Sequence, residues 1–303
     1  MRWPADHPAL VDPELAPWAA AVDDVVPGAR AISVLRYLPG RRVAALVEYR
    51  GELAVLKVFA SPRARGNVRR LESLASTSAA ALVPKIVGSD AAGHVLAVSY
   101  RRGALPASLS DSHYAERFDS VGRALRRLHD SGAELDRVWH WDREVAQLRG
   151  RAVPATREIV EALERSTSWL AGAGTVPAHR DFHPRQVVLP DDGSVALIDL
   201  DDAAMAPRAL DVGNMLAHLR REQFTGARRP GVVNDAADAF LDGYGHAPEM
   251  DAGSVTCWTL LAVARLAALA ESRHGDLGQR DALLAYCAGE VDGIRGMPSP
   301  ASR

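Results

Sequence analysis

Lysine is almost missing from this 303-residue chain: of its 36 basic residues only Lys57 and Lys85 are lysines. Where nearly every positive charge is an arginine, a retained lysine marks a place that wants a compact ammonium in place of a planar fork. Cysteine is as scarce. Cys257 and Cys287 both lie in apolar, helix-like stretches, which excludes a disulfide framework and a four-thiolate zinc site. Neither sign of charge dominates, since the formal net charge is -2, and a nucleic-acid partner is therefore not expected. No apolar run reaches the roughly 20 residues that span a bilayer. The longest, Val255 to Ala270, is interrupted by Arg265 and predicts a buried helix with no membrane partner. Met1 to Ala9 has Pro4, Asp6 and Pro8 where a leader needs a basic patch and then an apolar run, so a cytoplasmic location is expected.

What is present suffices for one large core or two moderate ones, at 48% hydrophobic and 24% charged residues. Ala31 to Leu38, Val43 to Tyr49 and Leu53 to Phe59 are β-rich runs separated by the turn signals Pro39-Gly40 and Arg50-Gly51. Arg63 to Ser76 carries Val68, Leu71 and Leu74 at helical spacing, and Pro84 ends any helix there. Lys85 to Gly88 and His94 to Tyr100 predict two further strands. Beyond a connector at Arg101 to Pro106, helical patterns run over Ala115 to Asp130, Arg143 to Arg149, Ala155 to Leu170, Ala209 to Arg221, Asn234 to Tyr244, Ser254 to Ser272 and Gln279 to Gly293. Val176 to Asp202 breaks the series with a predicted hairpin about Pro190 to Gly193. The tail from Gly296 is expected to fray. The expected class is α+β in two lobes: a small antiparallel-sheet lobe over 1–100, a hinge at 101–106, and a larger, mainly helical lobe over 107–303.

The most informative stretch is His179-Arg180-Asp181-Phe182-His183-Pro184-Arg185-Gln186, followed by Ile198-Asp199-Leu200-Asp201-Asp202. Phosphoryl transfer asks a protein for little covalent chemistry: a carboxylate beside the acceptor hydroxyl, and oxygen ligands for magnesium. Asp181, Gln186 and Asp199 are spaced to supply these. The segment resembles the kinase catalytic loop H-R-D-x-x-x-x-N and the metal-binding Asp that follows it. It is closer to the aminoglycoside phosphotransferase and choline kinase group of the protein-kinase-like fold, whose loop resembles H-G-D-x-H-P-x-N and whose later motif resembles I-D-W-D-x-A. Ala54-Val55-Leu56-Lys57 resembles the V-A-I-K strand.

The resemblance implies an ATP- and magnesium-dependent transfer to a hydroxyl of a small molecule. It gives Asp181 the catalytic position and Asp199 and Gln186 the metal. Lys57 would meet the phosphates, Glu72 would pair with Lys57, and the adenine would lie near Ser99 and Arg101. Two departures stand out. Gln186 takes the usual place of Asn, which predicts an altered magnesium site carried chiefly by Asp199. No G-x-G-x-x-G precedes Lys57 either, so Arg41 or Arg42 in the Pro39-Gly40 turn is the candidate phosphate contact.

A nucleotide-binding pseudokinase is the alternative that these departures leave open. A protein kinase lacks support, because no D-F-G or A-P-E follows. His179 and His183 invite a zinc site but have no third ligand at a convincing spacing; His179 reads better as a packed brace. Asp211 reads as a helix N-cap or as a brace for the loop backbone. Asp235 to Asp292 holds ten acids against three arginines. A pocket for a cationic acceptor, such as an aminoglycoside or amino-alcohol, and a plain solvated surface both account for that excess; a sugar is also open.

Overall fold

The computed structural model describes residues 12–150, 156–157, 159–161, 163, 170, 174–247 and 250–295. Met1 to Ala9, most of the expected helix over Ala155 to Leu170, and the tail from Gly296 lie outside them. The chain forms two compact units, the first made of Met1–Gly103 with Ala196–Asp201 and the second of Ala104–Val195 with Asp202–Arg303. The sequence puts all of 107–303 in one lobe. The chain instead returns Ala196–Asp201 to the first unit, where charged side chains of its sheet hold that segment.

The first unit is built on one antiparallel sheet in the order β1-β2-β3-β5-β4, with β1 Arg30–Leu38, β2 Arg42–Tyr49, β3 Glu52–Phe59, β4 Ile86–Ser89 and β5 Val95–Ser99. The two-residue turn from β2 to β3 uses Arg50 and Gly51, both at positive φ (53° and 80°), the conformation that matches the twist of the flanking strands. Alternation sets the faces. Val43, Ala45 and Val47 of β2 and Ala54, Leu56 and Val58 of β3 are buried. They pack with Leu15, Val22 and Val26; Leu15 precedes the short helix α1 (Ala16–Ala20), Val22 opens α2 (Val22–Val25) and Val26 follows it. Lys57 belongs to the opposite face and pairs in register with Ala44 and Leu96. Helix α3 (Ala64–Ala75) turns Ala64, Asn67, Arg70, Leu71 and Leu74 inward and packs on β4 and β5.

The second unit is helical: α4 Asp111–His129, α5 Trp141–Arg149, α6 Arg208–Phe224, α7 Pro230–Tyr244, α8 Ala252–His274 and α9 Leu277–Arg295. Two glycines let α4 and α7 touch backbone to backbone. A Cβ on Gly122 would sit 2.2 Å from the Phe240 carbonyl oxygen, and one on Gly243 would sit 2.0 Å from that of Asp119. Among the described residues one helix, Ala252–Ser272 within α8, is long and apolar enough to cross a membrane, and 67% of it is buried inside this protein. Cys257 and Cys287 are both free and buried. Strand β6 (Val176–Ala178) pairs with β9 (Ala204–Ala206) and delivers the chain to His179. Between them come β7 (Val187–Val188) and β8 (Ala196–Leu197).

Candidate active site

On the first unit, Lys57 is the centre of a charge cluster. Its ammonium donates to Asp199 Oδ1 at 2.7 Å and to Asp201 Oδ1 at 2.6 Å. Arg42, on β2, donates to Asp201 Oδ2 at 2.9 Å. Arg70, on α3, donates to the Asp201 carbonyl oxygen at 2.9 Å and to Asn67. Burial alone would lower the Lys57 ammonium, but the charges of Asp201 and Asp199 outweigh it and raise its pKa. Burial pushes the Asp201 carboxyl up; Lys57 only partly offsets this, and the like charge of Asp199 adds to it. Asp199 itself is held in the left-handed region at φ 59°, a conformation a non-glycine residue adopts only when its surroundings enforce it.

The structure brings Lys57 and Asp199 together and leaves Glu72 out. Glu72 is exposed on α3, 100° round the helix from buried Leu71, and the carboxylates that meet Lys57 come from the Ile198–Asp202 segment. Asp201 was not singled out by sequence, and Arg42 was considered there only as a phosphate contact alongside Arg41. Arg41 is exposed, and it is its neighbour Arg42 that turns inward. The Gly40 N–H donates to Asp12 at 2.8 Å, as does the Tyr37 hydroxyl at 2.9 Å. That turn thus uses its backbone donor internally. Ser99 accepts from the Lys85 N–H at 2.9 Å, and Arg101 donates to the Ala81 carbonyl oxygen at 2.5 Å; both hold the segment before β4.

On the second unit, a buried carboxylate shapes the loop from His179 to Gln186. Asp211 is fully buried and accepts from the His179 N–H at 2.6 Å and the Arg180 N–H at 2.7 Å. His129 Nε2 lies 3.2 Å from the same carboxylate. Asp211 sits in the first turn of α6, whose N-cap is Pro207, so it is the loop brace and not the cap. Asn214, one turn on, donates to the Arg180 carbonyl oxygen at 2.9 Å and accepts from Arg265 at 2.9 Å. Arg180 is left-handed at φ 69°. Its guanidinium stacks 3.5 Å from the centroid of the Trp139 ring and donates to the Asp202 carbonyl oxygen. His179 is buried and meets Phe182 edge to face.

Asp181 is therefore presented by a loop whose backbone is fixed just before it. Its side chain keeps 43% exposure, with His183 Nε2 at 3.7 Å and Arg265 at 3.8 Å. Burial works against its ionisation, but the nearby His183 imidazole and the charges of Arg265 and His179 outweigh it and hold the carboxyl well below the usual range. His183 Nδ1 accepts from the Arg185 N–H at 3.2 Å, so the neutral imidazole carries its proton on Nε2, the nitrogen facing Asp181. Gln186 closes the short turn Pro184–Gln186 through its own N–H to the His183 carbonyl oxygen. Arg265 was visible in the sequence only as the interruption of an apolar run. An ionisable side chain inside a buried helix is itself the signal that could have found it.

The profile of the phosphotransferase enzyme family matches residues 34–253. Choline kinase LicA from Streptococcus pneumoniae is similar in structure at a TM-score of 0.65 and 15% identity, covering 87% of this chain and 94% of its own. Aminoglycoside phosphotransferase APH(3'')-Id from Streptomyces rimosus gives 0.58 and 18%, covering 80% and 94%. Spectinomycin phosphotransferase APH(9)-Ia, solved with ADP and spectinomycin, gives 0.61 and 11%, covering 92% and 98%. The protein-kinase-like fold expected from the sequence is the fold these neighbours share. No curated protein matches in sequence.

Proposed function

Since the chain belongs to the phosphotransferase enzyme family, we propose that it transfers the γ-phosphoryl group of ATP, with magnesium, to a hydroxyl of a small molecule. The observation that carries this reading is the largely buried Lys57 ammonium held at 2.7 and 2.6 Å by Asp199 and Asp201. Such an ammonium is a point charge suited to phosphate oxygens.

Asp199 and Asp201 fit magnesium. They are hard oxygen donors, and the repulsion between them, which helps to raise the Asp201 pKa, is what a divalent cation relieves. Among the described residues no group of three or more His, Cys, Asp or Glu is arranged to hold a metal alone. One or two carboxylates suffice for magnesium when substrate phosphates and water complete its sphere. Bound there, it supplies neutralisation of the charge on the phosphate oxygens. Gln186 occupies the position that the resembled motif gives to Asn and offers the same amide oxygen. The adenine is assigned to the strand end at Ser99 to Arg101, by the order of elements in the resembled fold.

Asp181 orients the acceptor. The hydroxyl oxygen bonds to the γ-phosphorus as the bond from that phosphorus to the bridging oxygen of ADP breaks, and the hydroxyl proton passes to Asp181. A carboxylate this weakly basic takes the proton late, once the oxygen has begun to bond to phosphorus, so its main contribution is position. The test is a screen of hydroxylated compounds for ATP-dependent phosphorylation, with Asp181→Ala run beside the unaltered protein. Transfer should be lost in the variant. Full activity there would remove Asp181 from the reaction.

A further inference from the structure

The charges around Asp181 suit an acceptor opposite in sign to the cation considered from the acid-rich stretch Asp235 to Asp292. The described carboxylates of that stretch are engaged or solvated. Asp251 caps α8 by accepting the Ser254 N–H, Asp276 accepts from the Gln279 N–H, and Glu271 pairs with Arg280. Asp235, Asp238, Asp242, Asp281 and Glu290 are exposed.

The groups that surround Asp181 are basic. Arg265 and His183 lie 3.8 and 3.7 Å from its carboxylate, and His183 stacks on His218 with ring centroids 4.3 Å apart. Arg221 follows His218 by three residues on α6, about one turn or 5 Å along the same face. Arg185 follows His183 by two residues in the loop. The guanidinium of Arg185 is exposed and makes no ion pair or hydrogen bond among the described residues. Arg221 gives one N–H to Gln279 at 2.9 Å and has no carboxylate within ion-pair distance among the described residues.

The acids that belong to this region are already occupied. Glu144 accepts from Trp139 Nε1 at 2.9 Å and faces Arg265, and Glu222 accepts from the Tyr114 hydroxyl at 2.6 Å. Burial and the like charge of Arg185 lower the Arg221 pKa against the smaller opposing pull of Asp276 and Glu222, so the two guanidiniums repel each other and the nearby acids only partly offset it. Like charges gathered with no carboxylate at ion-pair distance are what an anionic ligand relieves.

We propose that the acceptor is an anion, a hydroxylated compound bearing a carboxylate or phosphate group, with Arg185 and Arg221 receiving the anionic group while Asp181 receives the hydroxyl. This assignment rests on the phosphotransferase reading above and narrows its substrate class. It distinguishes this chain from an enzyme whose acceptor is recognised through ammonium groups.

The experiment measures ATP-dependent transfer to glycerate, gluconate and glucose 6-phosphate, to the cations choline and kanamycin, and to neutral glycerol. It then repeats the best reaction with Arg185→Gln and Arg221→Gln. Expected are preference for an anion, a KM for that anion that climbs with salt, and about a tenfold rise in that KM in each variant, the KM for ATP staying within about twofold. Transfer to choline or kanamycin and to no anion overturns the inference and leaves the phosphotransferase reading intact. A variant that raises the KM for ATP and not that for the acceptor also overturns it, because the anion met by the arginines is then the nucleotide. No transfer to any compound and no ATP consumption would sink the phosphotransferase reading, and this inference with it.

Discussion

Replacing Asp211 tests whether the loop that carries Asp181 is held by bonds or by its own preferences. Truncation to alanine removes the acceptor of two backbone N–H groups, at 2.6 and 2.7 Å, inside a region closed to water. Hydrogen bonds to a charged acceptor contribute about 1.5–3 kcal/mol each, so the two together place the loss at about 3–6 kcal/mol. At about 2 °C per kcal/mol for a protein of this size, the melting temperature should fall by about 6–12 °C. The measurement is a thermal melt beside a urea titration, with exposed Asp238→Ala as a control expected within about 0.5 kcal/mol. Asp211→Ser separates the two roles that the sequence allowed. A helix cap is served by serine about as well as by aspartate, whereas serine is too short to bridge two backbone donors on a neighbouring loop. If Asp211→Ser came within about 1 kcal/mol of the unaltered protein, the brace would be refuted.

Glu72→Gln should leave the KM for ATP within about twofold, since the Lys57 ammonium is held elsewhere, while Asp201→Asn should raise it by about tenfold or more; steady-state kinetics with ATP varied decides between the two carboxylates. Stability should decline in mild acid. Burial, against the hydrogen bond to Asp211, lowers the His129 imidazole, and burial with the charges of His183 and Arg265 pushes His218 well below its usual range. Both are neutral when folded, so below about pH 6.5 the unfolded chain binds more protons, and stability is lost as pH falls toward the folded values at up to about 1.4 kcal/mol per unit for each histidine. Urea midpoints at pH 7.5 and 5.5 measure this. His218→Gln should reduce the slope, and equal midpoints would contradict the assignment.

Much of the architecture was legible because its signals are local. The alternation that buries Leu56 and Val58 also turns Lys57 to the other face, and Arg50-Gly51 declares its own turn. What escaped was the pairing between segments far apart in sequence. Glu72 was attractive because a helix carboxylate commonly meets this lysine. The inward stripe of α3, however, runs through Ala64, Asn67, Leu71 and Leu74, and a residue next to Leu71 on that spacing faces away. Asp201 was quoted within its motif and given no role. Its side chain reaches Lys57 because Asp199 is left-handed and Leu200–Asp202 forms a tight 3-10 turn, a local shape that no periodicity in the sequence announces. The acid-rich stretch is ambiguous for a different reason: net charge along a sequence says nothing of which carboxylates are spent on caps and ion pairs.

Arg180 and Asp199, the non-glycine residues at φ 69° and 59°, stand in the segments that carry the chemistry. A left-handed residue costs about 1–2 kcal/mol, and it persists only where several contacts agree on it. At Arg180 they do: Asp211 takes its N–H, Asn214 its carbonyl oxygen and Trp139 its guanidinium. At Asp199 the side chain is held by Lys57, and the chain two residues on is held by Lys57, Arg42 and Arg70. The glycine common at the Arg180 position in the resembled loop would reach the same conformation without strain. An arginine reaches it only because its own side chain and two carbonyl and amide partners offset the cost, so the direction in which Asp181 points depends on Asp211, Asn214 and Trp139 as much as on the loop itself.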